Sequence, residues 1–379
     1  MLIYFIFYIF SFFPQFIFEF RLRIFKILII FSASLFFCFG YMTGSDWRVY
    51  EEFYNSMESY SLENIPFEYG FYYYLMFFKS LNIEFWNFFI VTKVLLFLIW
   101  AYFLLKFQNR YFYISFSFFL VFFGLSFFID NPMRTLIAAT FFLFSYKHLQ
   151  NNNFIKYLII VLIASLFHVT SLILIPFFWI SKINLKSYLI LFIFLVFNLG
   201  MWILDSKLRS LFLFETGIPH LDTRFNFYFG DGATGNIYTE GKLFSLGLII
   251  RFIFLCLFLF SRNKIQARFG SIFFNLAIFS LFFYRLGIGI PIFERFEFYF
   301  CIPFCVLIAE IINNFSVRSR SFYFISIFLL SITSLFKSIS SEYKYIPYSN
   351  YLFYIFDNQK PSFEERENYN FKNSPYRKK

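Results

Sequence analysis

"KYLIIVLIASLFHVTSLILIPFFWISKINLK", residues 156–186, sets how the whole chain is threaded. The run is apolar and long enough to cross a bilayer. Yet Lys156 stands at one end, and Lys182 and Lys186 stand at the other. Basic residues beside apolar spans mark the cytoplasmic side, so both ends belong there. A single crossing would reverse every later loop and put Arg262, Lys264 and Arg268 outside. A re-entrant hairpin of two short helices, 156–167 and 170–181, satisfies both ends. At about 1.5 Å per residue each helix reaches roughly half-way across a core of about 30 Å. The tip is then His168-Val169-Thr170-Ser171, irregular backbone tolerated at that depth only where protein or a wet cavity surrounds it. The other reading of this run is one long tilted helix.

Long apolar runs recur on both sides of this segment. Hydrophobic residues are 60% of the 379 and charged residues only 15%, too little charge for the surface of a soluble domain. A span needs about 20 apolar residues. Spans are expected near 2–19, 25–42, 85–106, 111–129, 133–150, 187–204, 242–261, 269–287, 296–313 and 321–338. The stretch 67–81, with Tyr72, Tyr73 and Tyr74, reads as an external or half-inserted helix, because tyrosine favours the interface. The fold class is therefore all-α: a polytopic integral membrane protein of about 10–12 transmembrane helices, with short re-entrant or interfacial helices. Residues 1–339 are expected to form a single multi-span membrane domain. The first apolar run lacks preceding basic residues and a small-residue cleavage site, so it reads as a span and not a signal peptide.

The net charge of +11 comes from short basic turns. These are Arg21, Arg23 and Lys26; Lys106 and Arg110; Lys147 and Lys156; Arg262, Lys264 and Arg268; and Arg318 and Arg320. Such turns report orientation, not nucleic-acid binding. They leave 43–84, 205–241 and the tail 340–379 on the outer face. The loop 43–70 fits that side, with Asp46, Glu51, Glu52, Glu58, Glu63 and Glu68 against one base, Arg48. The end of the tail, "EERENYNFKNSPYRKK", is expected to be disordered. Cys38, Cys256, Cys301 and Cys305 all lie in apolar runs and show neither a disulfide framework nor metal spacing.

Several polar residues need a reason. Arg134 falls just inside the outer end of its span, in "DNPMRTLIAA", and His168 at the hairpin tip. "RFEFYF" (Arg295–Phe300) opens a late span, and the near-copy "RFNFYF" (Arg224–Phe229) lies in the second outer loop. Ionisable groups at membrane depth cost about 2.5–3.5 kcal/mol each. Each also has a plainer explanation. Arg134 snorkels to head groups, His168 packs, Arg224 and Arg295 anchor at the interface, and the acidic loop is a solvated face. Phe is 72 of the residues, so aromatic strings also recur by composition. Arg251, Lys93 and Glu310, deeper in their spans, read as structural groups that pair inside the bundle. Arginine forks bind phosphate oxygens bidentately, so several near the outer leaflet suit a diphosphate. There is no Gly-rich phosphate loop, and no run of acids that would cage a metal. A membrane-resident, lipid-diphosphate-linked sugar fits better than a nucleotide donor.

An ordered set of motifs resembles the EpsG-family, Wzy-type polysaccharide polymerases. "GSDWRVYEEFYN" (44–55) resembles their G-x-D-x3-Y signature, and "FEYGFYYYLMFFKS" (67–80) their E-x-G-F segment. "NPMRTLIAATFFLFSYKHL" (131–149) is similar to their R-x3-A helix, and "YLIIVLIASLFHVTSLILIP" (157–176) to their F-H-x-[ST]-[SA] helix. "RFEFYF" resembles a late R-x3-Y helix start, and "EYKYIPYSNY" (342–351) a closing P-Y element. The loop 205–241 does not align beyond "RFNFYF", and the first span is short and contains Pro14.

The resemblance implies a multi-pass glycosyltransferase of the bacterial inner membrane, without cofactor or metal. It would polymerise undecaprenyl-diphosphate-linked oligosaccharide repeat units at the outer face, into O-antigen, capsule or exopolysaccharide. By the same resemblance Arg134 and Arg295 clamp the departing diphosphate, and Arg224 holds donor or acceptor. Asp46 is the first choice of base, with Glu68 and His168 as rivals. Asp46 also has a plainer role, pairing with Arg48 and capping a helix. Tyr50, Tyr228, Tyr299 and Tyr348 line the sugar path, and Arg48 and Glu68 join the substrate-binding set. Expected partners are the lipid-linked oligosaccharide, membrane lipid, a chain-length regulator and a flippase, and no nucleic acid. Two other readings stand beside this one. A flippase for the same units would usually be longer, with paired halves. An enzyme modifying surface polysaccharide would change decoration and leave chain length alone.

Overall fold

The computed structural model describes residues 1–17, 22–60, 65–212, 245–289, 293–357 and 360–371, with backbone alone for 204–212, 289 and 371. Among them the secondary structure is helical, apart from one isolated bridge between Gly40 and Asn350. In lipid a helix satisfies its backbone within its own segment, so a chain this apolar has few other choices. Five described helices are long and apolar enough to cross a membrane: Phe85–Phe107, Phe112–Asp130, Arg262–Ile288, Glu294–Asn314 and Val317–Ser341. Shorter apolar helices cover Leu2–Phe16, Phe154–Ser165, Val169–Ile180, Ser187–Ile203 and Leu246–Phe260. Helices also cover Arg23–Cys38 and Met133–Gln150. Every expected span thus falls on a helical element, and so does the interfacial stretch, at Tyr69–Ser80.

The chain divides into two compact units, Met1–Ile175 with Phe315–Lys379, and Pro176–Asn314. In the first unit polar groups of neighbouring helices meet in pairs. The Trp100 indole donates to Thr140 Oγ1 at 2.8 Å, and Ser117 donates to Ser11 at 3.0 Å. Aromatic packing fills the rest, with Trp100 stacked on Phe119 and Phe97 edge-on to Phe128. The tail threads back over this unit. Tyr41 N–H donates to the Ser349 carbonyl and Tyr351 N–H to the Phe39 carbonyl, at 3.0 and 2.7 Å.

The run that opened the sequence reading reverses direction. Helix Phe154–Ser165 ends, His168 is extended at φ −154°, and a 3-10 turn covers Val169–Leu174. The returning piece lies along the outgoing one, because the Tyr157 hydroxyl donates to the Leu174 carbonyl at 2.6 Å. Both partners are buried, so the bond holds the two legs together across a reversal of 17 positions.

Part of the segment expected to be disordered is ordered. Phe363–Phe371 forms a helix, while 372–379 lie outside the described residues. Its polar composition argues against a core of its own. What holds it is a partner: the Arg366 guanidinium pairs with Glu51, with both side chains under 10% exposed. Tyr41, Trp47, Trp86 and Phe363 stand around that guanidinium, with ring centres 5.4–5.7 Å away.

In the second unit the deep ionisable groups are accommodated one by one. Arg251 lies 3.6 Å from Glu297 and 3.5 Å over the Tyr284 ring. Glu310 binds Arg268 of the basic turn, as well as Asn313. In the first unit Lys93 donates to the Phe128 carbonyl at 3.3 Å and sits 4.6 Å over the Phe89 ring. These are the structural roles expected of Arg251, Lys93 and Glu310. Arg285, which the sequence reading passed over, is 2% exposed.

Candidate functional site

Four of the sequence motifs meet in the first unit. Glu68 precedes helix Tyr69–Ser80 with extended backbone. Gly70, two residues on, packs against the reversal: a Cβ there would stand 2.7 Å from the Leu166 carbonyl oxygen. The missing side chain lets Phe71 N–H donate to that carbonyl at 3.3 Å. The Glu-x-Gly pattern thus has a steric cause, since glycine brings the helix start against the turn that carries His168.

The Glu68 carboxylate is the hub. Its Oε2 accepts from an Arg134 guanidinium nitrogen at 2.7 Å, and its Oε1 lies 3.2 Å from His168 Nδ1. The same Oε1 accepts from Val169 N–H at 3.3 Å. Tyr50 also hydrogen-bonds Arg134, and the Phe67 ring centre lies 4.9 Å from the guanidinium. Arg134 Nε is buried and has no hydrogen-bond partner among the described residues. Side chains of Arg134, Glu68 and His168 are 19%, 13% and 7% exposed, so these charges interact at reduced dielectric. Burial alone would push the Glu68 carboxyl up. The His168 hydrogen bond and the Arg134 charge outweigh it and hold Glu68 well below the usual carboxylate range.

A second polar cluster ties the closing motif to the first one through Asp130. Asp130 ends the π-helical stretch Leu120–Asp130, and Asn131 follows in the left-handed region. Lys344, in the tail, donates to Asp130 Oδ2 at 2.7 Å. Ser45 N–H donates to Asp130 Oδ1 at 2.9 Å, and the Ser45 hydroxyl donates to the same oxygen. Gly44 makes the approach possible. Its φ is +86°, and a Cβ there would lie 2.1 Å from the Ile129 carbonyl oxygen. Burial works against the Lys344 charge, but Tyr345 and Asp130 hold its pKa above the usual lysine range.

The structure brings together Tyr50, Glu68, Arg134 and His168 of the expected residues. Asp46 sits beside the second cluster: its N–H donates to the Asp130 carbonyl at 3.4 Å, and its carboxylate lies 3.3 Å from Ser45 Oγ. It begins helix Trp47–Ser56 without a side-chain capping bond. Arg48 donates to the Glu367 carbonyl at 3.3 Å. Tyr348 is engaged in packing, its hydroxyl donating to the Phe36 carbonyl at 2.6 Å and accepting from Asn350 at 2.8 Å. Arg295 lies in the second unit at the start of helix Glu294–Glu310, partly exposed; among the described residues it has no ion-pair partner. Tyr299, one turn on, is fully buried. Arg224 and Tyr228 lie outside the described residues, as do Arg21 and Glu63. Sequence reasoning missed Asp130, Lys344, Glu51 and Arg366 as partners. The available signal for Asp130 was its place beside "NPMR", and for Lys344 its place inside "EYKYIPYSNY".

The comparisons with known proteins agree with this motif set. The EpsG family model matches residues 23–350, which holds all six motifs apart from the last residue of the closing one. No curated protein and no solved structure matches the chain. Since the match spans most of the sequence, this multi-pass membrane protein belongs to the EpsG family of Wzy-like polysaccharide polymerases.

Proposed function

We propose that the protein polymerises polyprenyl-diphosphate-linked oligosaccharide repeat units at the outer face of the bacterial inner membrane. The observation that carries this reading is the Arg134–Glu68–His168 cluster, drawn from three of the family motifs. A hydroxyl of the acceptor unit attacks the anomeric carbon of the donor's first sugar. The new glycosidic C–O bond forms as the bond to the diphosphate oxygen breaks. The acceptor's proton goes to a base, and the bonding electrons leave with the diphosphate.

Arg134 is suited to the leaving group. Glu68 and Tyr50 hold its terminal nitrogens, and Nε remains to donate to a phosphate oxygen. A preorganised cation where charge grows is among the strongest catalytic devices. For the base the geometry favours His168 over Asp46. Glu68 bonds His168 Nδ1 and so fixes the ring, leaving Nε2 as the nitrogen to take the proton. A carboxylate that orients an imidazole is the arrangement found in catalytic triads. Glu68 itself is too weak a base, because its neighbours stabilise the anion. Arg295, which the resemblance also assigns to the diphosphate, is proposed for that role by itself.

The test is surface-polysaccharide chain length in a strain lacking the gene, complemented with wild type, Arg134→Ala, His168→Ala, Glu68→Gln or Arg295→Ala. Single repeat units in the deletion strain, and a ladder restored by wild type but not by Arg134→Ala, support the reading. An unchanged ladder in the deletion strain sinks it. Units trapped on the inner face point instead to a flippase.

A further inference from the structure

A polar cavity lies in the first unit, away from the Glu68 cluster. It has a volume of about 460 Å³ and is lined by Gln15, Phe16, Lys26, Asn109, Arg110, Tyr111, Arg320 and Phe324. Three of the basic turns that the sequence assigns to the cytoplasm converge here. Phe107, just before this cavity, packs its ring 6.0 Å from Tyr146. Tyr146 and Arg134 stand 12 positions apart on helix Met133–Gln150, about 18 Å along its axis at 1.5 Å per residue. The cavity is therefore separate from the Glu68 cluster.

Its described lining carries cations and no anion. Lys26, Arg110 and Arg320 supply three cations, and among the described residues no carboxylate lines the cavity or pairs with them. Among the described residues their bonds go to neutral groups. Lys26 Nζ donates to the Asn109 carbonyl and side-chain oxygens at 2.7 and 2.6 Å, leaving one of its three donors. Arg320 donates through Nε to the Phe315 carbonyl at 2.9 Å. Arg110 lies over the Tyr111 ring at 5.2 Å. Buried Gln15 anchors the wall by donating to the Arg110 carbonyl at 3.1 Å. Like charges gathered around one cavity repel, and an anion between them relieves that cost. Beside the cations lies an apolar edge. Phe16 and Phe324 line the cavity with ring centres 5.0 Å apart, and Phe13 and Phe16 are about half exposed.

We propose that this cavity binds a phosphoryl anion at the cytoplasmic end of the protein. Two guanidiniums and an ammonium around one space match phosphate oxygens. Two sources share that chemistry: the headgroup of an anionic membrane phospholipid, with acyl chains along Phe13 and Phe16, and a soluble phosphate. Basic pockets between spans on the cytoplasmic side are suited to anionic headgroups.

The test is native mass spectrometry of the purified full chain, titrated with phosphatidylglycerol, phosphatidylcholine or inorganic phosphate. Wild type is compared with the pair Arg110→Gln/Arg320→Gln and with the charge-keeping pair Arg110→Lys/Arg320→Lys. Preferential retention of phosphatidylglycerol is expected, weakened roughly 10- to 30-fold by the glutamine pair and largely kept by the lysine pair. Phosphate binding with the same dependence on the variants, and no preference for phosphatidylglycerol, assigns the site to the soluble anion. Binding of both probes that ignores the glutamine pair overturns the proposal. If that pair fails to fold, wild type is photo-crosslinked with diazirine-bearing phosphatidylglycerol and with azidophenyl phosphate. Labels on peptides carrying Lys26 and Asn109–Tyr111 then support it, and labels found only elsewhere overturn it.

Discussion

Glu68 and Arg134 are 66 positions apart in sequence, yet a carboxylate oxygen of one lies 2.7 Å from a guanidinium nitrogen of the other. The pair joins an outer-loop helix to the start of Met133–Gln150, and His168 completes it from a third segment. Removing one member of such a buried pair strands the other charge, at about 3–5 kcal/mol. Glu68→Ala and Arg134→Ala are each expected to lower the melting temperature in detergent. The double variant should lose clearly less than the sum. An additive double-mutant cycle would show that the contact is not energetically coupled.

Acid should act through the same carboxylate. The folded-state pKa of Glu68 is depressed below its ordinary value of 4.5. Its contribution is therefore fully present above about pH 4.5 and lost as pH falls through the depressed folded value. The stability gap between wild type and Glu68→Gln should be flat from neutral pH to about pH 5, then narrow in stronger acid. A gap that narrows already between pH 7 and pH 5 would contradict this assignment.

Gly44→Ala should be one of the most damaging small substitutions in the chain. The new methyl meets the Ile129 carbonyl, and φ +86° is unfavourable for alanine. Backbone strain of this kind costs about 1–3 kcal/mol. The Ser45–Asp130–Lys344 cluster beside it should loosen as well. Thermal unfolding in detergent reads the first effect. Increased protease access to the tail after Ser341 reads the second, and normal protection there would separate Gly44 from the cluster.

Arg366 gives the tail a measurable role. Arg366→Ala leaves Glu51 buried without its cation, so a loss of about 3–5 kcal/mol is expected. Glu51→Gln combined with Arg366→Gln should recover part of it. Trp47 and Trp86 flank the guanidinium, so their fluorescence reports the release. Unchanged emission and melting in Arg366→Ala would mean that the tail helix is not held by this pair.

Much was legible in the residues. Apolar runs marked where helices form, because a long apolar segment in lipid has to bond its own backbone. Lysines at both ends of 156–186 pointed to a reversal, and the chain does turn back at His168. Arg134, His168, Glu68 and Tyr50 were singled out from their types and motif positions. Composition misled for 363–371, where a polar segment reads as disordered until its partner is known. Asp46 was ranked first as base on its motif; the carboxylate that the structure sets against the His168 imidazole is that of Glu68.

The amino-acid sequence by itself determined the helical membrane class, the family and the short list of polar residues, because hydropathy and motif order are properties of the linear chain. Only the tertiary structure decided that Glu68 links Arg134 to His168, that Lys344 reaches Asp130, and that Arg366 reaches Glu51. Those pairs span 66 to 315 positions. Each carboxylate had several cations to choose from. For Glu68 and Asp130 close approach chose among them, through a glycine at position 70 against Leu166 and another at 44 against Ile129.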